Sequence, residues 1–141
     1  MSAPTFADIV AGRHAVHVVA ADDRHLAWLA ERPARRGHVI VATRQVVDAV
    51  WDLDAEAHAA LWTFARGVAL ALRERLPCAR VCTSVIGWVV RHAHVHLVPT
   101  DAPGQVPGLD GPPPPPGELA ELAQRLRGDG LSARGSRDGR S

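Results

Sequence analysis

Histidine alternates with apolar residues over residues 92–98, whose sequence is HAHVHLV. Side chains of a β-strand point to opposite faces with a period of two, so this alternation predicts a strand, which we place at 89–98. The three histidines, His92, His94 and His96, then share one face. They are spaced about 6.6 Å apart, at ~3.3 Å of rise per residue. The apolar residues between them face a core on the other side.

A helical period of apolar residues extends over residues 55–76, which predicts one long amphipathic helix with Asp54 as its N-cap. Runs of apolar and β-branched residues predict further short strands. These strands are placed at 16–20, 26–29, 38–42 and 80–86, and short helices are placed at 6–11 and 118–127. The pattern predicts an α+β fold: an antiparallel sheet of about five strands with one long helix packed on it and a short N-terminal helix.

The composition changes near residue 100, so we predict that the domain carrying the histidines spans 1–100. Prolines recur over 101–117, with five in succession, and such a segment is typical of an extended linker. A short amphipathic helix follows at 118–128, and it could dock on the body of the protein or on a second copy. The tail at 129–141 is rich in glycine, serine and arginine and is predicted to be disordered.

Charge and composition narrow the function classes. The 141 residues carry a net charge of +1, so no basic excess favours nucleic-acid binding. No apolar stretch is long enough to span a membrane, and the N-terminus lacks the basic start and apolar core of a signal peptide. We therefore expect a cytoplasmic protein without a nucleic-acid or membrane partner. Lysine, asparagine and tyrosine are absent, so no role can be assigned to them.

Three histidines on one face of an apolar strand are costly to bury without partners, which indicates chemistry rather than packing. Imidazole supplies a nucleophile, an acid, a base or a metal ligand near neutral pH. A structural cluster and a three-histidine metal site remain alternatives. The metal site is the less favoured of the two, because no Asp, Glu or Cys lies near the strand.

The HAHVHLV stretch resembles the signature of the histidine triad (HIT) superfamily, in which histidines alternate with hydrophobic residues. The order and spacing of other segments are also similar to that family, over about residues 5–100. These segments are FADIVAG at 6–12, the DD turn at 22–23 with LAW at 26–28, the proline loop with GHVIV at 37–41, and residues 47–54 before the long helix.

This resemblance implies a homodimer that binds a nucleotide or a nucleotide-like phosphate ester. It implies hydrolysis or transfer at the α-phosphorus of phosphoramidates, dinucleoside polyphosphates or nucleotidyl sugars. His94 falls on the position of the nucleophile, which would form a covalent nucleotidyl-histidine. His92 and His96 would bind phosphate oxygens, orient the nucleophile or protonate the leaving group, and His38 would orient the triad. No cofactor and no metal is implied.

The resemblance also assigns a base pocket, because Phe6, Ile9 and Trp28 match positions that commonly line it. An aromatic ring at position 28 suits packing against a nucleobase.

The chain departs from the family pattern at the phosphate and ribose contacts. Trp88 and Val89 stand where the family often has glutamine and serine, and Ala30 stands where it often has an acid for the ribose hydroxyls. Compensating phosphate contacts could come from Arg91, or from Arg32, Arg35 and Arg36 in the proline loop, and Trp88 could add a stacking wall or narrow the pocket. The hypotheses are a substrate without a free ribose diol, weak generic activity, or a non-catalytic nucleotide-binding protein on the same fold.

Overall fold

The computed structural model describes residues 4–106 and 110–128. Along the chain, the elements are α1 (Phe6–Val10), β1 (Val18–Ala21), β2 (His25–Leu29), β3 (Val39–Thr43), a 3-10 turn (Val50–Asp52), α2 (Ala55–Arg75), β4 (Arg80–Ser84), β5 (His94–Thr100) and α3 (Glu118–Leu126). The five strands form one antiparallel sheet in the order β1-β2-β3-β5-β4. The predicted α+β fold class is confirmed.

The long helix α2 forms for the reasons that the sequence indicated. The side chain of Asp54 accepts a hydrogen bond from the amide of Ala57 at 2.8 Å, which satisfies one of the free donors of the first turn. Arg73 and Arg75 lie in the last turn, where positive charge complements the helix dipole. Five residues at helical spacing are buried against the sheet: Ala57, Leu61, Ala65, Val68 and Leu72.

Each face of the sheet carries its own apolar cluster. The larger cluster lies between the sheet and α2, and the smaller one lies under α1 on the opposite face. Register places the histidines on the smaller side, because His94 pairs with Ala42 and His96 pairs with Ile40, and both partners belong to the cluster under α1. The strand therefore gives its apolar side chains to the main core and its histidines to the other face.

The predicted strand at 89–98 is wrong at its beginning, because β5 starts only at His94. The preceding residues make contacts outside the regular strand ladder. The amide of Ala93 donates to the carbonyl of Val47 at 2.8 Å, and Arg91 forms an ion pair with Asp48. His92 therefore lies in an irregular segment, and the even spacing predicted for three strand histidines holds only for the last two.

The C-terminal helix α3 docks on the body of the same chain, which decides between the two alternatives. Leu122, Ala123 and Leu126 are buried in the core beside α2. Two arginines hold the C-terminal end of the helix: Arg75 donates to the carbonyl of Leu126 at 2.9 Å, and Arg127 donates to that of Val18 at 2.7 Å. The helix beyond the proline-rich segment thus packs on the same core as the histidine strand.

The proline-rich segment contains neither helix nor strand in its described part at 110–117, but it contacts the loop before β3. Arg32 and Gly111 exchange two hydrogen bonds of 3.0 Å, one from the guanidinium and one to the Arg32 carbonyl. A side chain at position 111 would meet the carbonyl oxygen of Pro33, so glycine is needed at this approach. The tail predicted at 129–141 lies outside the described residues.

Among the helices that the structure describes, none combines the length and the apolar character required to cross a bilayer.

Replacing Leu122 by alanine should lower the free energy of unfolding by about 2 to 4 kcal/mol, because the change removes apolar burial and leaves a cavity. Leu122 is 1% exposed. Urea unfolding followed by circular dichroism measures the change. Gln124→Ala, at an exposed position of the same helix, is the control and should stay within about 0.5 kcal/mol. Equal stabilities of the two variants would show that α3 contributes nothing to the core.

Candidate active site

Four histidines lie together on the face of the sheet under α1. The ring centroids of His94 and His96 are 5.0 Å apart, and those of His96 and His38 are 5.1 Å apart. His92 joins them from the irregular segment before β5, through its carbonyl, which contacts the His94 ring. All four side chains are buried. The structure thus brings together the four histidines that the sequence singled out.

A backbone amide determines which nitrogens carry protons at His38 and His96. The N–H of Ala34 donates to His38 Nδ1 at 3.0 Å, so this nitrogen accepts and the neutral ring carries its proton on Nε2. That Nε2–H donates to His96 Nδ1 at 2.9 Å. His96 therefore carries its own proton on Nε2, and this N–H is available as a donor.

The neighbouring contact leaves a lone pair on His94. Its Nδ1 lies 2.6 Å from the carbonyl oxygen of His92, which can only accept, so we assign the proton to Nδ1. Nε2 of the neutral ring then has a free lone pair. His92 is held in the same way, because its Nε2–H donates to the carbonyl oxygen of Thr43 at 2.7 Å. Two carbonyl groups thus orient these two imidazoles.

Burial keeps three of these rings neutral at physiological pH. It lowers the pKa of His38 from 6.5 to about 4. Burial, together with repulsion from protonated His94 and His38, lowers the pKa of His96 to about 3. Burial is also the largest cause that lowers the pKa of His94 below its ordinary value. A neutral imidazole is the form that can act as a nucleophile.

The residue before His38 must be glycine for this arrangement. Gly37 has a φ of +89°, a conformation that L side chains rarely adopt. A Cβ there would lie 2.6 Å from the Leu76 side chain and 3.0 Å from that of Pro99. The turn therefore delivers His38 into the site while packing closely against the end of α2 and β5.

The predicted base-pocket residues lie together beside the triad. The Phe6 ring is 4.9 Å from that of His94 and 5.0 Å from that of Trp28, in edge-on geometry in both cases. A capping box between Thr5 and Asp8 holds this start of α1. Trp28 is only 2% exposed, so a base could reach it only if α1 moved aside. Ile9 is also buried in this cluster.

The structure places Trp88 at the surface and Arg91 beside Asp48. Trp88 is 81% exposed and is not among the residues lining the small cleft beside His94. The Arg91 guanidinium makes two hydrogen bonds of 2.8 and 2.7 Å to the carboxylate of Asp48, so its charge is already paired. No local pattern around Arg91 indicates this partner, which lies 43 positions away.

The cleft beside His94 has a volume of about 110 Å³. It is lined by residues from three segments: 48–51, 85–87 and 92–94. Ligand pockets commonly measure about 300 Å³ or more, so this cleft holds at most part of a nucleotide in the present conformation.

Two residues that were not among the predicted site residues, Trp51 and Ser84, lie at the site. Trp51 lines the cleft, is 75% exposed and stacks on His58 with ring centroids 5.8 Å apart. Ser84, at the end of β4, pairs directly with His96. Ser84 could be identified from the sequence only if the register of β4 against β5 were known, and that register depends on the conformation of the loop between them.

In residues 4–106 and 110–128, no group of three or more His, Cys, Asp or Glu is arranged to hold a metal ion.

Comparison with known families agrees with this geometry. Residues 12–102 match the family model of the HIT domain, which covers more than half of the chain. The chain belongs to the HIT family. Proteins described as nucleotide-binding and as hydrolases occur in this family.

Individual HIT relatives agree in sequence and in fold. An uncharacterized HIT-like protein of Saccharolobus solfataricus is 31% identical over 100 residues, which cover 67% of this chain and 72% of the relative. A hypothetical histidine triad nucleotide-binding protein of Sulfolobus tokodaii superposes with a TM-score of 0.75 at 22% identity, covering 86% and 87% of the two chains. A Zn-bound histidine triad family protein of Mycobacterium smegmatis superposes with a TM-score of 0.72 at 25% identity, covering 86% and 88%.

Lowering the pH from 7 to 5 should destabilise the fold by about 2 kcal/mol for each of His38 and His96, at ~1.36 kcal/mol per pKa unit. Their native pKa values lie below the ordinary 6.5, so only the unfolded chain takes up protons in this interval. Stability is therefore full above pH 6.5 and falls as the pH decreases towards the native values.

Urea midpoints at the two pH values measure this loss. The His17→Gln variant, at an exposed position, should keep the full loss, whereas His38→Gln should reduce it. A wild-type midpoint that does not change between pH 7 and pH 5 would contradict the burial of neutral histidines.

Proposed function

We propose that this HIT protein hydrolyses nucleotide-type phosphoramidates or phosphoanhydrides, or transfers their nucleotidyl group, through a covalent bond to His94. One observation carries the proposal: the contact from His94 Nδ1 to the His92 carbonyl leaves the lone pair of Nε2 free on a neutral ring. A neutral imidazole nitrogen attacks phosphorus effectively at neutral pH, and dividing one displacement into two lowers each barrier.

In the first step, Nε2 of His94 forms a bond to the α-phosphorus while the bond from phosphorus to the leaving group breaks. The leaving group takes the electron pair of that bond and acquires a proton from solvent. In the second step, water attacks the same phosphorus, the bond from phosphorus to Nε2 breaks, and the proton of the water is released. The products are a nucleoside monophosphate and the original neutral His94.

His96 stabilises this reaction as a hydrogen-bond donor. Its Nε2–H is directed by the bond from His38 and is available for a phosphate oxygen, on which negative charge grows in the transition state. The low pKa of His96 makes it a neutral donor rather than a cationic acid in the free protein. His92 and His38 position the two rings that touch substrate, and Phe6, Ile9 and Trp28 receive the base after a shift of α1.

Substitution of His94 by alanine should lower turnover by at least about a thousandfold, because the group that forms the covalent bond is removed. Release of AMP from adenosine 5′-phosphoramidate measures turnover, and intact-protein mass detects the nucleotidyl adduct in the wild type. His92→Ala and His96→Ala should weaken turnover without abolishing it. His17→Gln is the matched control and should behave like the wild type. Normal turnover by His94→Ala would refute the mechanism.

A nucleotide-binding protein without catalysis is the second candidate, because Trp88 and Val89 replace the expected phosphate contacts and Arg91 is paired with Asp48. AMP affinity without turnover or adduct would favour it. Comparing AMP with its 2′,3′-dideoxy analogue tests whether a ribose diol is recognised.

The Zn-bound relative from Mycobacterium smegmatis supports the alternative of a three-histidine metal site in this protein. Metal analysis of protein purified without a His-tag tests this alternative.

The predicted homodimer would use β4, one of the two edge strands of the sheet. β4 pairs with β5 on one side, so backbone groups on its other side are open to a second strand. Three large apolar side chains just beyond β4 are exposed: Ile86, Trp88 and Val89. Sedimentation should give twice the monomer mass, and Val89→Asp should weaken the association. A wild type that stays monomeric at high concentration would exclude this interface.

A further inference from the structure

Ser84 lies beside His96 on the histidine face of the sheet. The two residues are direct partners in the antiparallel pairing of β4 with β5, and direct partners point their side chains to the same face, with Cβ atoms about 4.5 to 5.5 Å apart. The position of Ser84 therefore follows from the backbone. It lies on the opposite side of His96 from β3, the strand that pairs with the other edge of β5.

The hydroxyl of Ser84 is buried and has no hydrogen-bond partner. Other polar side chains on this strand pair and at its end are satisfied. Thr83 donates to the His96 carbonyl at 2.8 Å, and Thr100 donates to the Arg80 carbonyl at 3.0 Å. Burying a hydroxyl without a hydrogen-bond partner costs free energy. The unpaired hydroxyl of Ser84 therefore needs an explanation, since the neighbouring polar side chains have hydrogen-bond partners.

A substrate phosphate would provide the missing partner. Nε2–H of His96 faces the proposed phosphoryl group, and Ser84 is its immediate neighbour across the sheet. A charged phosphate oxygen accepts strong hydrogen bonds from hydroxyl groups. Val89 has no polar side-chain atom, and Trp88 is 81% exposed and does not line the cleft beside His94. The charge of the Arg91 guanidinium is paired with Asp48. Ser84 is the nearby hydroxyl that remains free.

We propose that the Ser84 hydroxyl donates a hydrogen bond to a non-bridging phosphate oxygen of the substrate, beside the donor on His96. This inference rests on the proposed function and deepens it, because it assigns a phosphate-binding residue where Trp88 and Val89 replace the usual glutamine and serine.

Ser84→Ala tests the assignment, because activity should fall while the stability of the free protein should not. Removing an unsatisfied hydroxyl should leave the thermal midpoint of the free protein unchanged or raise it. The same change should lower kcat/KM for adenosine 5′-phosphoramidate about tenfold to a hundredfold, and weaken AMP binding measured by calorimetry in the same direction. Ser84→Thr keeps the hydroxyl and should retain most of the activity.

Cys82→Ala is the matched control, because Cys82 lies on the same strand and the same face, two residues further from the cleft. It should leave kcat/KM within about twofold of the wild type. Wild-type activity in Ser84→Ala, with the phosphoramidate hydrolysed normally, would overturn the role of Ser84 alone. Loss of activity accompanied by a lower thermal midpoint would show a structural role and would also overturn it. A wild type that neither binds AMP nor hydrolyses the phosphoramidate would overturn the proposed function, and this inference with it.

Discussion

The hydrogen bond from the amide of Ala34 to His38 Nδ1 is the contact on which the chemistry of the site depends. It makes Nδ1 an acceptor, which places the proton of His38 on Nε2 and, through the next bond, the proton of His96 on its own Nε2. One backbone group thus determines the protonation pattern of two buried rings. Proton addition to His96 at Nδ1 would disrupt this chain, which agrees with the lowered pKa of that ring.

The architecture separates stability from chemistry by using the two faces of one strand. The residues of β5 that face α2 contribute to the larger apolar core, whereas His94 and His96 face the smaller cluster under α1. The larger core, closed by α2 and α3, carries most of the apolar burial. The smaller cluster can therefore contain buried imidazoles and an unmet hydroxyl, because the cost of burying these polar groups is offset elsewhere in the molecule.

The fold was predictable from local patterns wherever one interaction dominated. The period of α2 and its Asp54 cap, the alternation of β5 and the short apolar runs gave five strands and the long helix in the correct order. The prediction failed at residues 89–93, because apolar content suggested a strand, whereas Ala93 and Arg91 contact residues 47 and 48. Such contacts cross long stretches of sequence, so no local window contains them.

The sequence by itself determined the chemical types and their common face: alternation put His94 and His96 on one side of β5, and GHVIV put a fourth histidine at the start of a neighbouring strand. Tertiary structure decided which nitrogens carry protons, that Asp48 engages Arg91, that α3 packs on its own chain, and that Ser84 lies beside His96. The reason is physical: side-chain periodicity follows from backbone geometry, whereas hydrogen-bond partners and pKa values depend on groups that only the folded chain brings into contact.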